Sequence, residues 1–201
     1  MPGTAREPNP RGAGDQLRHQ LVDAAGELLL HPQEVALPSL RAVARACSVS
    51  PAAVYLHFDS SAALIEAVLD DQLDALSATM RAALVDAPAP IDRLRAFAAA
   101  YVGWGLEHPG AYQLLFETAD RWAGGSRAVA HERWDLLHET SRLLGDVLGG
   151  PTDPALAFRL WALLHGLVSL RLHKADVDWP TQPVADAHGT VDDLLRGINT
   201  D

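Results

Sequence analysis

Nine histidines are the side chains in this sequence most able to bind a metal ion or move a proton near neutral pH. His131 and His138 are seven residues apart, so a helix would place them on roughly one face. Glu132, Asp135 and Glu139 lie beside them. Mixed charges of this kind are more typical of a solvated helix face than of a metal site, which needs three or four converging ligands. We therefore predict no metal site, and metal analysis of the purified protein would reveal the alternative.

The sequence lacks the common motifs of catalytic residues. The sequence contains no nucleophile elbow, phosphate-binding loop or zinc-protease motif. Its one cysteine, Cys47, can form neither an intrachain disulfide nor, alone, a thiolate metal site. A small buried residue would pack equally well at that position, so a redox switch is the less favoured role. We predict that the chain is not an enzyme and needs no cofactor.

Composition and charge further limit the classes of protein to which this chain can belong. With 201 residues, 48% of them hydrophobic, the chain can bury a core. No run approaches 18 apolar residues and the first 14 residues lack the apolar stretch of a signal peptide, which predicts a soluble, cytoplasmic protein. The formal charge is -10, but residues 1–60 carry five arginines against six acidic residues. The acidity therefore belongs to the C-terminal part, and the N-terminal part can still contact phosphates.

Apolar residues recur three and four apart along nearly the whole chain, which predicts an all-α fold. In the first helix, Leu17, Leu21, Ala24 and Leu28 form the predicted inner stripe. Proline, glycine and capping residues bound the elements. The predicted helices are a first one ending before Pro32, two short ones after Pro38 and from Pro51, and longer segments at about 61–85, 91–108, 111–117, 127–148, 154–175 and 183–197, with a loop at Gly124-Gly125.

The sharpest local signal is Ser50-Pro51, an N-cap followed by proline at the first helical position. It starts a second short helix a few residues after the one that Ser39 caps, and two short helices joined by a tight turn are what a helix-turn-helix requires. Val54 and Phe58 are four apart and can anchor the inner face. The other face of the second helix would then meet the major groove, unless the pair merely belongs to an ordinary bundle.

The segment Leu40-x-x-Val43-Ala44-x-x-Cys47-Ser48-Val49-Ser50-Pro51-Ala52-Ala53-Val54-Tyr55-Leu56-His57-Phe58 resembles the helix-turn-helix signature of the TetR family of repressors. The resemblance implies that the second short helix reads operator DNA and that Tyr55 and His57 touch its backbone. It departs from the family at Ser48, where glycine is usual, and at Ser61, where a phosphate-binding lysine is common. The predicted DNA-binding residues are Arg41, Ser50, Pro51, Ala52, Ala53, Tyr55, Leu56, His57 and Ser61.

The segment before the first helix carries Arg6 and Arg11, and Arg18 follows within the helix. We hypothesise that this arm contacts phosphates or the minor groove and offsets the missing lysine. A tail without any role in binding is the alternative for so few charges. Deleting residues 2–13 without loss of affinity would rule out the hypothesis.

The C-terminal half is similar to one branch of the same family, through the pattern from His108 to Phe116 and through Trp161, His165 and Gly166. The resemblance implies a cavity for a small-molecule effector and a homodimer that pairs the last two long helices. The helix from residue 154 is apolar around most of its circumference, which independently requires cover on more than one side. Aromatic walls would suit an apolar or aromatic effector; the predicted ligand-binding residues are Tyr101, Trp104, Phe116, Trp122, Trp134, His138, Trp161 and His165.

Together these patterns predict a flexible arm at residues 1–14, a DNA-binding domain at 15–62, and a ligand-binding and dimerisation domain at 63–201. The predicted function is a homodimeric repressor that a small effector releases from double-stranded operator DNA. The alternative is a dimeric scaffold or sensor whose DNA binding is weakened or lost, for which Ser61 and the low positive charge are the evidence.

Overall fold

The computed structural model describes residues 13–29, 38–118, 127–174 and 176–198, and the side chains of these residues except at 13, 118 and 127–134. Every regular element within these ranges is a helix, which confirms the all-α prediction. The chain divides into two compact units, one up to Val68 and one from Leu69. We refer to the first as the head and to the second as the body. The predicted arm at residues 1–14 falls almost entirely outside the described residues, as does the Gly124-Gly125 loop.

Four helices begin in the head: α1 (Ala13–Leu29), α2 (Leu40–Ala46), α3 (Pro51–Tyr55) and α4 (Ser61–Ala82), and α4 continues into the body. Side-chain oxygens cap three of them, satisfying backbone donors that a helix N-terminus leaves unpaired. The oxygen of Ser39 accepts from Ala42 N at 3.2 Å, that of Ser50 from Ala53 N at 3.2 Å, and that of Ser60 from Ala63 N at 3.1 Å. The caps predicted at Ser39 and Ser50 are thus confirmed.

The inner face of α1 differs from the prediction. Leu28, expected in the buried stripe, is 39% exposed, and Ala24 is only half-buried. The residues that α1 buries are Leu21, Val22, Ala25 and Leu29. The apolar residues of α1 fit two possible inner stripes, one through Ala24 and one through the neighbouring residue Ala25. The two stripes are rotated about the helix axis by roughly one residue. In the structure, the buried stripe runs from Leu21 through Ala25 to Leu29 in steps of four residues.

The body contains α5 (Pro90–Glu107), α6 (Pro109–Gln113), α7 (Arg127–Leu148), α8 (Pro154–His173) and α9 (Pro183–Ile198). A π-helical turn, Leu114–Thr118, continues directly from α6. The bounds predicted for α7 are confirmed, whereas α8 ends two residues earlier than predicted and α4 gives way to turns after Ala82. In place of a plain segment at 111–117, the chain forms α6 and the π turn.

Helix α5 lies at the centre of the body, where it packs against α7, α8 and α9. Arg95 fastens it to α9 through a hydrogen bond of 2.7 Å to Asp192. At Gly105 the neighbouring elements come so close that an added Cβ would lie 2.8 Å from both the Tyr112 ring and Val168 Cγ1. Glycine is therefore what allows α5, α6 and α8 to meet at this point.

Helix α8 is long and apolar enough, with a mean hydropathy of 1.4, to pass a length and composition test for a membrane span, a test that core helices of soluble proteins also pass. Its hydropathy has another cause in this fold. One side of α8 belongs to the core of the body, and a second side remains uncovered in the single chain, so both sides are apolar. The buried side consists of Leu156, Ala157, Leu160, Leu164 and Val168.

Candidate functional site

The turn between α2 and α3 closes through two backbone hydrogen bonds that end α2. Val49 N donates to Ala44 O at 2.9 Å, and Ser48 N donates to Arg45 O at 3.1 Å. These bonds form a Schellman motif, which needs a left-handed residue at its centre. Ser48 holds that position with φ 56°, among the described residues the one non-glycine with positive φ. The serine thus adopts the conformation for which glycine is usual, at a cost of roughly 1 kcal/mol.

Helix α3 is anchored on one side and open on the other. Val54 is fully buried and Phe58 nearly so, as predicted for the inner face. Tyr55 is 56% exposed and Leu56 84% exposed, while His57 is half-buried. The Leu56 side chain is therefore available for contact with another molecule.

The remaining predicted DNA-binding residues lie on the same two helices or at the start of α4. Arg41, Pro51 and Ala52 are exposed, and Ala53 and Ser61 are half-buried. Ser50 is exposed but engaged, because its hydroxyl caps α3. The face formed by Pro51, Ala52, Tyr55 and Leu56, which we call the reading face, carries no charged residue.

Helix α1 supports the reading face from behind. The Arg18 guanidinium lies 5.2 Å from the centre of the Phe58 ring, a cation–π contact. Cys47 Sγ donates to Gln20 O at 3.4 Å, and burial, with the charges of Asp23 and Glu27, raises the pKa of this thiol. A raised pKa keeps the thiol protonated and unreactive. Arg6 and Arg11 of the predicted arm lie outside the described residues, whereas Arg18 is exposed and lies over the Phe58 ring.

The body contains a partly open apolar cavity of about 30 Å³, room for no more than a few water molecules. Among the described residues of its wall there is no charged side chain, and the polar atoms belong to Tyr101, Thr140 and Trp161. Each is engaged: Thr140, for example, donates its hydroxyl proton to Leu136 O at 2.8 Å. The wall consists of Met80, Phe97, Tyr101, Phe116, Leu136, Leu137, Thr140, Trp161 and Leu164.

A chain of hydrogen bonds runs behind this wall and links α5, α6 and α8. Trp161 Nε1 donates to the Tyr101 hydroxyl at 3.2 Å, the Tyr101 and Tyr112 hydroxyls are 3.2 Å apart, and Tyr112 reaches His165 Nδ1 at 2.5 Å. Burial lowers the pKa of His165, against a smaller opposing effect of Glu117, and raises the pKa of Tyr112 far above its usual range. The neutral imidazole can therefore accept a hydrogen bond from the Tyr112 hydroxyl, which stays protonated.

The π turn brings Phe116 into the middle of this aromatic cluster. The ring centre of Phe116 lies 4.9 Å from that of Tyr112, 5.9 Å from that of Tyr101 and 6.3 Å from that of Trp161. The next residue, Glu117, faces α8, where it accepts a hydrogen bond from Ser169 at 3.3 Å and lies 3.4 Å from His173 Nε2. Single π turns are often found at functional sites, and this one inserts one ring into the cavity.

The structure brings only part of the predicted ligand set to the cavity. Tyr101, Phe116 and Trp161 line it. His165 stands behind the wall, bonded to Tyr112, and Trp104 stacks on His108 with ring centres 4.9 Å apart. The side chain of His138 is 78% exposed and lies 4.0 Å from Asp135, so it faces solvent rather than the cavity. Trp122 and the side chain of Trp134 lie outside the described residues.

Several residues of the cavity wall and of the hydrogen-bond chain were not predicted from the sequence as ligand-binding residues. Tyr112 holds the hydrogen-bond chain together, although it had been noted only as part of a motif. Its four-residue spacing to Phe116 was the available signal. Phe97, four residues before Tyr101, offered the same signal on α5. The aliphatic wall residues gave none, because core leucines look alike in sequence whether or not they border a void.

For a metal ion, no group of three or more histidine, cysteine, aspartate or glutamate side chains within the described ranges is placed to bind one. Asp135 and Glu139 occupy the α7 face that the sequence suggested. Glu139 forms hydrogen bonds with Arg142 at 2.6 and 2.9 Å, and this pairing lowers the pKa of its carboxyl group. The side chains of His131 and Glu132 lie outside the described residues.

Models of known protein families match residues in both the head and the body. The family model for tetracyclin repressor-like C-terminal domains matches residues 94–194, and that for bacterial regulatory proteins of the tetR family matches residues 36–68. The chain belongs to the TetR family. Its head carries the family's helix-turn-helix and its body the family's C-terminal domain, so the chain is a DNA-binding transcriptional regulator by family.

Solved structures agree with this fold. A Rhodococcus sp. RHA1 protein of unknown function is 25% identical, with a TM-score of 0.78 over 96% of this chain and 98% of that one. A transcriptional regulator from the same organism is 20% identical, with a TM-score of 0.72 over 90% and 96%. A TetR-family regulator from Bordetella parapertussis is 20% identical, with a TM-score of 0.65 over 93% and 98%. No curated protein matches the sequence.

Proposed function

We propose that this regulator is a cytoplasmic, homodimeric repressor that leaves its operator when a small, uncharged apolar or aromatic effector enters the body. The observation that carries the proposal is the cavity among Tyr101, Phe116 and Trp161, whose described wall bears no charge. Because the cavity measures only about 30 Å³, an effector must displace side chains of the wall to bind. Moving a charged group into such a wall without a partner would be costly, so a neutral effector is favoured.

The connection between cavity and head supports ligand control. Helix α4 starts at Ser61, immediately after the helix-turn-helix, and its residue Met80 lines the cavity. An effector that displaces Met80 would act on a helix that is covalently continuous with the DNA-binding unit. Effector binding would then favour one of two conformations and lower the affinity for DNA.

Two exposed apolar faces support the homodimer. Phe158, Leu163 and Leu170 on α8 are each about half exposed in the single chain, as is Val184 on α9. A second copy that pairs the same two helices would cover them, and a two-fold dimer presents two reading helices to two half-sites. Light scattering checks this step, since an obligate monomer would contradict it.

The reading face defines how this protein would bind DNA. Tyr55 and His57 would contact the phosphate backbone, Pro51 and Ala52 would allow close approach, and Leu56 would contact a thymine methyl group. Arg41 is exposed on α2 and would add a phosphate contact. With Ser61 in place of a cation, few phosphates are neutralised, so binding should depend weakly on salt.

The direct test is an electrophoretic mobility shift with the DNA upstream of the regulator's own gene, with and without neutral aromatic compounds. We expect a specific complex that a subset of neutral compounds dissolves and that their charged analogues leave intact. Trp161→Ala should abolish the response to compounds while preserving the complex. Stable binding that no compound alters would contradict ligand control, and a dimer with no specific complex would favour the scaffold or sensor.

A further inference from the structure

A cavity of about 30 Å³ inside the body raises the question of how a molecule reaches it. On the outside of the same helices, a cleft of about 380 Å³ lies between α4, α5 and α7. We call it the α4–α7 cleft. It is lined by Asp74, Ser77, Arg81, Phe97, Asp135, Leu136 and Glu139.

The cavity and the α4–α7 cleft share two wall residues, Phe97 of α5 and Leu136 of α7. These two side chains border the cavity and the cleft at once. Two further surface clefts in the described part of the body, one around Gly150 and Ile198 and one around Phe158, share no residue with the cavity. Among these three clefts, the α4–α7 cleft is therefore the one separated from the cavity by single side chains.

We propose that the effector enters the cavity from the α4–α7 cleft and that Phe97 and Leu136 form the gate. This inference rests on the effector-binding function proposed above and adds the route and its selectivity. Side-chain rotation at two residues opens the path without unfolding a helix.

The opposite side of the cavity is far less able to open. There Tyr101 is tied to Trp161 and to Tyr112, and Tyr112 is tied to His165, by the hydrogen bonds between α5, α6 and α8. Opening that side breaks buried hydrogen bonds, whereas Phe97 and Leu136 have hydrocarbon side chains that move without losing any. The gate is thus placed where the wall is held by apolar packing alone.

The rim of the cleft adds a filter by charge. Asp74, Asp135 and Glu139 contribute three carboxylates, and the rim also carries Arg81, whose Nε donates to Ser77 O at 3.1 Å. Because Arg142 pairs with Glu139, the carboxylates exceed the guanidinium groups by one. An anion would pass these carboxylates and then enter an uncharged wall, and both steps are unfavourable. The route therefore admits neutral molecules in preference to anions of the same shape.

The chain offers a matched pair of variants to test the gate. Leu136 lines both the cavity and the cleft, whereas Leu137, its neighbour on α7, lines the cavity only. Both are half-buried leucines, so Leu136→Ala and Leu137→Ala remove the same atoms from the same wall. Only the first removes a side chain of the gate.

The experiment is stopped-flow fluorescence with the full-length protein and the uncharged dye N-phenylnaphthylamine. We expect Leu136→Ala to raise the association and dissociation rates together, by roughly fivefold or more, relative to Leu137→Ala. The Kd values of the two variants should agree within about twofold. Leu136→Phe, which narrows the path and keeps the core filled, should slow both rates, and thermal melts confirm that each variant is folded.

Equal rates in Leu136→Ala and Leu137→Ala, with saturable binding that Trp161→Ala removes, would overturn the gate and leave the effector cavity standing. No saturable binding to the wild type would overturn the cavity and the gate together. As a second readout, anilinonaphthalene sulfonate, the same ring system with an anionic group, should associate more slowly than the neutral dye. Faster association of the anion would contradict the charge filter.

Discussion

The reading face and the cavity wall differ in whether the side chains that form the site also hold the fold together. On the head, Tyr55 and Leu56 project from a five-residue helix, and the fold is held by other groups: the Ser50 cap, Val54 and Phe58. In the body, Tyr101, Phe116 and Trp161 form the site and are also the packing that joins α5, the π turn and α8. Function and stability should therefore separate in the head and coincide in the body.

The largest expected effect is on DNA binding by the head. The variant Tyr55→Phe with His57→Ala removes two proposed phosphate contacts, each worth about 1.5–3 kcal/mol when the partner is charged. Affinity for the upstream DNA should fall more than about a hundredfold, equally for all binding sequences, with little change in melting temperature. Fluorescence anisotropy and thermal melts measure the two quantities. Unchanged affinity would show that α3 is not the recognition helix.

Leu56→Ala sharpens the same point because it removes an apolar contact to a base rather than to phosphate. We expect it to change the sequence preference, chiefly at positions with a thymine, and to leave nonspecific binding intact. A selection from randomised DNA compares the wild type and the variant. The same preferred sequence in both would remove Leu56 from direct readout.

In the body, Gly105→Ala tests the close approach of α5, α6 and α8. The new Cβ would lie 2.8 Å from the Tyr112 ring and from Val168, so the core must shift at a cost of about 1–3 kcal/mol. Both the melting temperature and the binding of neutral dye should decrease. Gly103→Ala is the matched control on the same helix, because nothing lies within 4 Å of its Cβ. It should be neutral or stabilising by up to about 1 kcal/mol.

Ser48 is expected to affect the stability of the head rather than its contact with DNA. Ser48→Gly relieves the positive φ of 56° and should stabilise the head by roughly 1 kcal/mol. Ser48→Ala, which keeps a Cβ in the same conformation, should give no such gain. Urea unfolding of the two variants makes the comparison, and an equal gain in both would mean that the strain is absent.

The smallest expected effect concerns pH and His165. Because burial lowers the pKa of His165 in the folded protein, the unfolded chain binds a proton first as pH falls below about 6.5. Stability should therefore decline from that pH down to the folded pKa. His165→Gln, which retains an acceptor for Tyr112, should flatten this decline, whereas His138→Gln at an exposed site should not. Parallel pH profiles for both variants would contradict the role of His165.

The two regions also differ in how far the sequence predicted them. The caps at Ser39 and Ser50 and the inner residues Val54 and Phe58 follow from local rules over a few residues, whereas the turn position at Ser48 was marked only by the family resemblance. The cavity depends on which faces of α4, α5, α7 and α8 meet, and helical periodicity does not determine that. Thus Trp104 and His138 were predicted as wall residues, whereas the structure stacks one on His108 and exposes the other.

We propose that the small, uncharged reading face binds DNA with few phosphate contacts. This proposal is tested most directly by the affinity of the wild-type protein for its upstream DNA across a range of salt concentrations, beside a scrambled duplex of equal length. We predict specific binding with a shallow dependence of log affinity on log salt, corresponding to few neutralised phosphates. A steep salt dependence would contradict the small number of phosphate contacts, and equal affinity for the scrambled duplex, or no binding to either at low salt, would contradict specific binding by this face.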